Sequence, residues 1–180
     1  FGGYSPSAQI RFNSIPSVGT TSDFGDLSSA RFGGTGVANS TRGISLGGSG
    51  PTGGTINAGM NEIEYVTIQS LGDAVDFGDL IQELASIQSC QSQTRGIITG
   101  GKEDSSNAAQ NGIEYITMST LGNASDFGDA SATHNGNNNG GGGNAVRGIF
   151  HVGSSYSNTL EFITIATLGN STDFGDDVMQ

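Results

Sequence analysis

At 180 residues with 33% apolar side chains the chain can bury a core of ordinary size, and its 31 glycines against 3 prolines, without a Gly-X-Y period, exclude collagen and point to a turn-rich β protein. A formal charge of −11 with a single lysine, Lys102, leaves no basic surface to neutralise phosphates, so nucleic acid is not an expected partner. The lone cysteine, Cys90, excludes an internal disulfide framework and a cysteine-built zinc site, and no apolar run approaches the roughly 20 residues that span a bilayer.

In chain order, the opening Phe-Gly-Gly is followed by an alternating run, IRFNSIPSVG from Ile10, and then by Asp23-Phe24-Gly25-Asp26. A glycine-rich stretch from Ala30 (ARFGGTGVAN) leads to RGISLGG from Arg42, IEYVTIQSLG from Ile63 and Asp76-Phe77-Gly78-Asp79. The order then recurs: ELASIQSCQS from Glu83, RGIITGG from Arg95, IEYITMSTLG from Ile113 and Asp126-Phe127-Gly128-Asp129. A last round runs HNGNNNGGGGN from His134, RGIFHVG from Arg147, LEFITIATLG from Leu160 and Asp173-Phe174-Gly175-Asp176. Four copies in register define a repeat of about 50 residues, and the opening Phe-Gly-Gly reads as the tail of a fourth Arg-Gly segment.

Each unit reads as a short glycine-ended strand, a loop, a strand of β-branched and aromatic residues, a Leu-Gly or Val-Gly turn, and a strand carrying the Phe. In the middle strand Ile113, Tyr115 and Thr117 face one way and Glu114, Ile116 and Met118 the other. Large apolar groups on both faces predict a sheet sandwiched between neighbouring sheets. Phe24, Phe77, Phe127 and Phe174 are expected in the core, with Tyr65, Tyr115 and Phe162 beside them.

The apolar-then-glycine strand end (Ile98, Gly100, Gly101), the acidic-aromatic middle strand (Glu114, Tyr115) and the downstream aromatic Phe127 resemble the kelch family of β-propellers, specifically the divergent kelch-like repeats of tailed-bacteriophage virion proteins. The resemblance covers essentially the whole chain, with Phe where ordinary kelch repeats carry Trp. It implies an all-β, kelch-like β-propeller of about four blades that forms part of a larger ring or assembly, with approximate blades 1–41, 42–94, 95–146 and an incomplete 147–180. It also implies an innermost strand in the segments from Ala30 and Glu83. At the third such place the Gly/Asn composition from Asn135 to Asn144 favours a mobile loop over a strand. Because only four residues follow Asp176, the last unit is expected to lack its inner strand, and the 180 residues are not expected to close a ring alone.

The regular Asp-Phe-Gly-Asp carboxylates, Asp23, Asp26, Asp76, Asp79, Asp126, Asp129, Asp173 and Asp176, are read as turn formers that bond nearby backbone, with calcium a weaker alternative. The repeat arginines Arg42, Arg95 and Arg147 are expected to pair with them. A kinase reading of Asp-Phe-Gly fails on four copies and one lysine. His134 and His151 have no metal-ligand spacing and are expected at the surface or in loops, Cys90 is expected buried, and Asn123 and Asn170 read as turn residues. No catalytic, cofactor or metal residue is assigned.

The segments between the glycine pairs and the middle strands vary in length (49–62, 102–112, 4–9), as do those before Arg-Gly. Both are expected to emerge at one rim, the natural contact surface. The resemblance therefore implies a non-enzymatic virion structural or host-surface-binding module, partnered by other virion or filament subunits and a host-surface glycan or protein. A secreted or cell-surface bacterial adhesion or filament protein is the alternative reading, and a glycan-acting propeller enzyme the least favoured. The residues leave ligand, host and blade number open.

Overall fold

The computed structural model describes the chain apart from residues 1–5, 17, 53–54, 104–105, 107, 136–139, 154–156 and 179–180, and at 51–52 and 55–58 it describes the backbone alone. All regular elements among the described residues are strands, and every pairing is antiparallel. The first sheet holds β1 (Ser7–Phe12) and β2 (Ser22–Arg31). In the second, β3 (Thr35–Ala38), β4 (Arg42–Thr52), β5 (Thr55–Thr67) and β6 (Val75–Ala85) lie side by side. The third holds β7 (Gln88–Gln91), β8 (Arg95–Thr99), β10 (Gln110–Thr117) and β11 (Ser125–His134), while β9 (Lys102–Glu103) pairs back onto β6. The fourth holds β12 (Gly141–Gly143), β13 (Arg147–His151), β14 (Thr159–Thr164) and β15 (Thr172–Asp176). One sheet is strongly curled, and no strand of the first sheet pairs with one of the fourth among the described residues.

The cores lie between successive sheets, as the two-faced middle strands require. Ile10, Phe24 and Leu27 of the first sheet meet Val66 of the second. Ile44, Ile63, Phe77 and Leu80 of the second meet Ile98, Ile116 and Met118 of the third. Ile97, Ile113 and Phe127 of the third meet Phe150, Ile163 and Ile165 of the fourth. On β10, Ile116 thus serves one core and Ile113 the other, the alternation read from its sequence.

The Asp-Phe-Gly-Asp motif makes the same β-bulge in every sheet. Ile113 lies opposite Gly128 and Glu114 opposite Asp126, so Phe127 is passed over by the ladder, and the same happens at Phe24, Phe77 and Phe174. The extra residue turns its ring across the middle-strand aromatic, edge to face at 6.0–6.2 Å in all four sheets.

Several expectations are corrected. The short strand before each Arg-Gly belongs to the following sheet: β3 pairs with β4, β7 with β8 and β12 with β13. The sheets therefore do not divide at 42, 95 and 147. The cause is local: Asn39 Oδ1, Ser92 Oγ and Asn144 Oδ1 each accept the N–H groups two and three residues on, closing a tight turn into the Arg-Gly strand. Consequently the fourth sheet has its inner strand, and the sheet with two strands is the first.

The Gly/Asn tract is likewise not a loop throughout, since Gly141–Gly143 is paired; positions 136–139 and the opening Phe-Gly-Gly lie outside the described residues. A Cβ on Gly141 would come within 2.3 Å of the Ser89 carbonyl oxygen, so absent side chains are what let β12 lie against β7.

Candidate functional site

The repeated residues meet at three equivalent joints between successive sheets. At each joint a Leu-Gly-Asx turn of one sheet docks on the motif strand of the sheet before it. Gly72, Gly122 and Gly169 donate their N–H to the carbonyls of Phe24, Phe77 and Phe127, each at 2.8 Å. Two residues on, Ala74, Ala124 and Ser171 donate to the carbonyls of Asp26, Asp79 and Asp129 at 2.8–3.0 Å. In return the N–H groups of Asp26, Asp79 and Asp129 donate to the side chains of Asp73, Asn123 and Asn170. Asn123 and Asn170 are thus turn residues, as read. A Cβ on Gly25, Gly78 or Gly128 would lie 2.2–2.5 Å from the docked turn, and their φ values of 148–151° suit glycine, so the motif glycine is required twice over.

The motif carboxylates play a smaller part than expected. Among the described residues the Asp173 carboxylate accepts the Gly175 N–H, while Asp26, Asp79 and Asp129 contribute to the joints through backbone and Asp23, Asp76 and Asp126 pair with the middle strand of their own sheet. Nor do the repeat arginines pair with them. The guanidinium groups of Arg42, Arg95 and Arg147 lie 4.5–4.7 Å from the ring centroids of Tyr65, Tyr115 and Phe162. Arg42 and Arg95 also donate to the carbonyls of Met118 and Ile165 in the next sheet. A ring face and a carbonyl satisfy a planar cation without a carboxylate. Those three rings are accordingly half-buried rather than buried.

A further set, one middle-strand Glu per joint, lay outside the sequence assignment. Glu64, Glu114 and Glu161 are buried and accept the N–H of Ser28, Ile81 and Ser131 on the preceding motif strand. Eight residues after its first Asp, the preceding motif strand carries Arg31, Leu84 or His134. Arg31 forms a buried ion pair with Glu64. Leu84 gives Glu114 no cation, and burial pushes that carboxyl up, Asp126 adding to the rise and the Ile81 N–H opposing it. His134, expected at the surface, is buried, stacks on Phe150 and meets Thr99 Oγ1 at 3.1 Å. Burial lowers its proton affinity, with the Ala132 carbonyl and Glu161 pulling the other way, while Ser131 and Ser171 donate hydroxyls to Glu161.

The Glu114 joint has a pH signature. A carboxyl whose folded affinity for protons exceeds its unfolded one stabilises the fold when protonated and loses that contribution as pH rises through its raised range. Urea titrations across that interval should show the native chain losing stability with rising pH and Glu114→Gln losing less; parallel curves would remove Glu114 as the source.

Two surfaces remain. A polar groove of about 420 Å³ runs along the inner strands, lined by Thr35, Gly36, Ser89, Gln91 and Gly141 among others. Cys90 also borders it, but burial pushes its thiol up to about 12, which leaves it protonated and a poor nucleophile. The other surface is where the variable connections touch: Phe32 bridges to Ser49, Ala85 pairs with Lys102, and Gly101 donates to the His134 carbonyl. At these three places the two kinds of variable connection lie against each other. His151 contacts Asp177 at 3.5 Å, and no three metal-ligating side chains gather among the described residues. Compared with known protein families and with curated proteins, the chain matches none.

Proposed function

We propose that this chain is a non-enzymatic structural or host-surface-binding module of a tailed-phage virion, its sheets serving as consecutive blades of a kelch-like β-propeller within a larger ring or assembly. The observation that carries the reading is the thrice-repeated joint. Its Phe, Gly, Asx and Glu groups are engaged in holding one sheet to the next at all three joints, and Arg42 and Arg95 add to two of them, so the repeat reads as scaffold, with variation left to the connections. Inner strands lying side by side in chain order, β3 with β7 and β7 with β12, also favour a blade-like reading. Contact with a neutral partner suits the groove, where Ser, Thr, Gln and Gly supply hydrogen bonds without charge.

Antibodies raised against the chain should decorate tails or appendages of purified particles, and the polypeptide should sediment with them. Recovery from the envelope or medium of uninfected bacteria would instead favour the adhesion or filament reading.

A further inference from the structure

We infer that the edge of β1 away from β2, unpaired among the described residues, is a docking slot for an extended segment of the type Arg-Gly-Ile-x-x-Gly-Gly, added as a further strand of the first sheet. The inference goes beyond the virion reading and does not depend on it. In the second, third and fourth sheets the middle strand is paired on both sides, with a motif strand on one and an Arg-Gly strand on the other. Among the described residues β1 pairs with β2 alone. A row of unpaired backbone groups is a template for another strand.

Side chains identify which strand is missing. In each four-stranded repeat an Arg-Gly guanidinium covers the middle-strand ring at 4.5–4.7 Å. The equivalent ring in the first sheet is Phe12, which keeps its edge-on contact with Phe24 yet is 42% exposed. The adjoining sheet shows the same gap. Arg42 and Arg95 reach forward to the carbonyls of Met118 and Ile165, whose side chains are 0% and 2% exposed. Ile68 holds that position in the second sheet and is 44% exposed. One Arg-Gly strand on β1 would pair the edge, cap Phe12 and cover Ile68 together.

The described Arg-Gly strands of a second copy cannot supply this strand, because β4, β8 and β13 are each paired along both edges within their own sheets. The occupant is therefore a segment of this sequence type that is not already folded into a sheet.

The test is an NMR titration of the chain with the peptide Arg-Gly-Ile-Ile-Thr-Gly-Gly, the sequence of 95–101. Saturable shifts are expected at the amides of Ile10, Arg11 and Phe12 and at the Ile68 methyl groups. Replacing the peptide's Arg with Ala should weaken binding about tenfold, as should Phe12→Ala in the protein, whereas Phe162→Ala in the fourth sheet should leave it unchanged. The peptide substitution keeps the test valid if Phe12→Ala unfolds the first sheet. No saturable binding at millimolar peptide, equal binding of the Ala peptide, shifts confined to other strands, or self-association that protects the β1 amides without peptide would each overturn the inference.

Discussion

Phe127→Ala is expected to cost about 3–5 kcal/mol, while Phe174→Ala costs about 1 kcal/mol or less. The two residues occupy the same bulge and make the same edge-on ring contact, with Tyr115 at 6.1 Å and with Phe162 at 6.2 Å. They differ in what lies over them. Phe127 is 3% exposed beneath the fourth sheet, and Phe77 and Phe24 are similarly covered at 2% and 9%. Phe174 is 50% exposed, contrary to the expectation of burial, because no described sheet docks on β15. Truncating the covered ring leaves a cavity that its neighbours cannot collapse into, whereas truncating the open one removes only half-buried area. For a chain of this size the contrast amounts to a melting-temperature drop of roughly 6–20 °C against about 2–4 °C. Equal losses would show that the fourth motif strand is covered in solution.

Much of this scaffold was legible before any coordinates, because both faces of the middle strands and the Phe of each motif are recorded in residue type. The turn role of Asn123 and Asn170 was legible too, since both hold one repeat position. The assignment of the inner strands was not. Three residues separate β2 from β3, and three separate β3 from β4, so connection length gave no preference between the two neighbouring sheets. What decided it was the side chain of Asn39 closing the second connection. The glycine strand at 141–143 was hidden for a related reason: a composition that normally marks a loop also suits a strand pressed against a neighbour's carbonyl. The burial of His134 left a fainter trace. Aligned on the motif it shares a position with Arg31 and Leu84, and a place filled by Leu in one repeat is a place facing a core.

That shared position carries the second large effect. Arg31 is buried with Glu64, and its guanidinium also donates to the carbonyls of Gly47 and Glu62. Arg31→Leu would give the first joint the same residue that Leu84 gives the second, but with Glu64 deprived of the cation it is paired with. Removing one member of a buried ion pair costs about 3–5 kcal/mol, because the partner keeps its desolvation without its counter-charge. Adding Glu64→Gln to Arg31→Leu should recover most of the stability, because the amide can still accept the Ser28 N–H without carrying charge. Urea titrations of the four proteins of this cycle decide the matter. If Arg31→Leu loses the same stability whether position 64 is Glu or Gln, the arginine acts by filling space and by its carbonyl contacts, and the ion pair is not what it contributes.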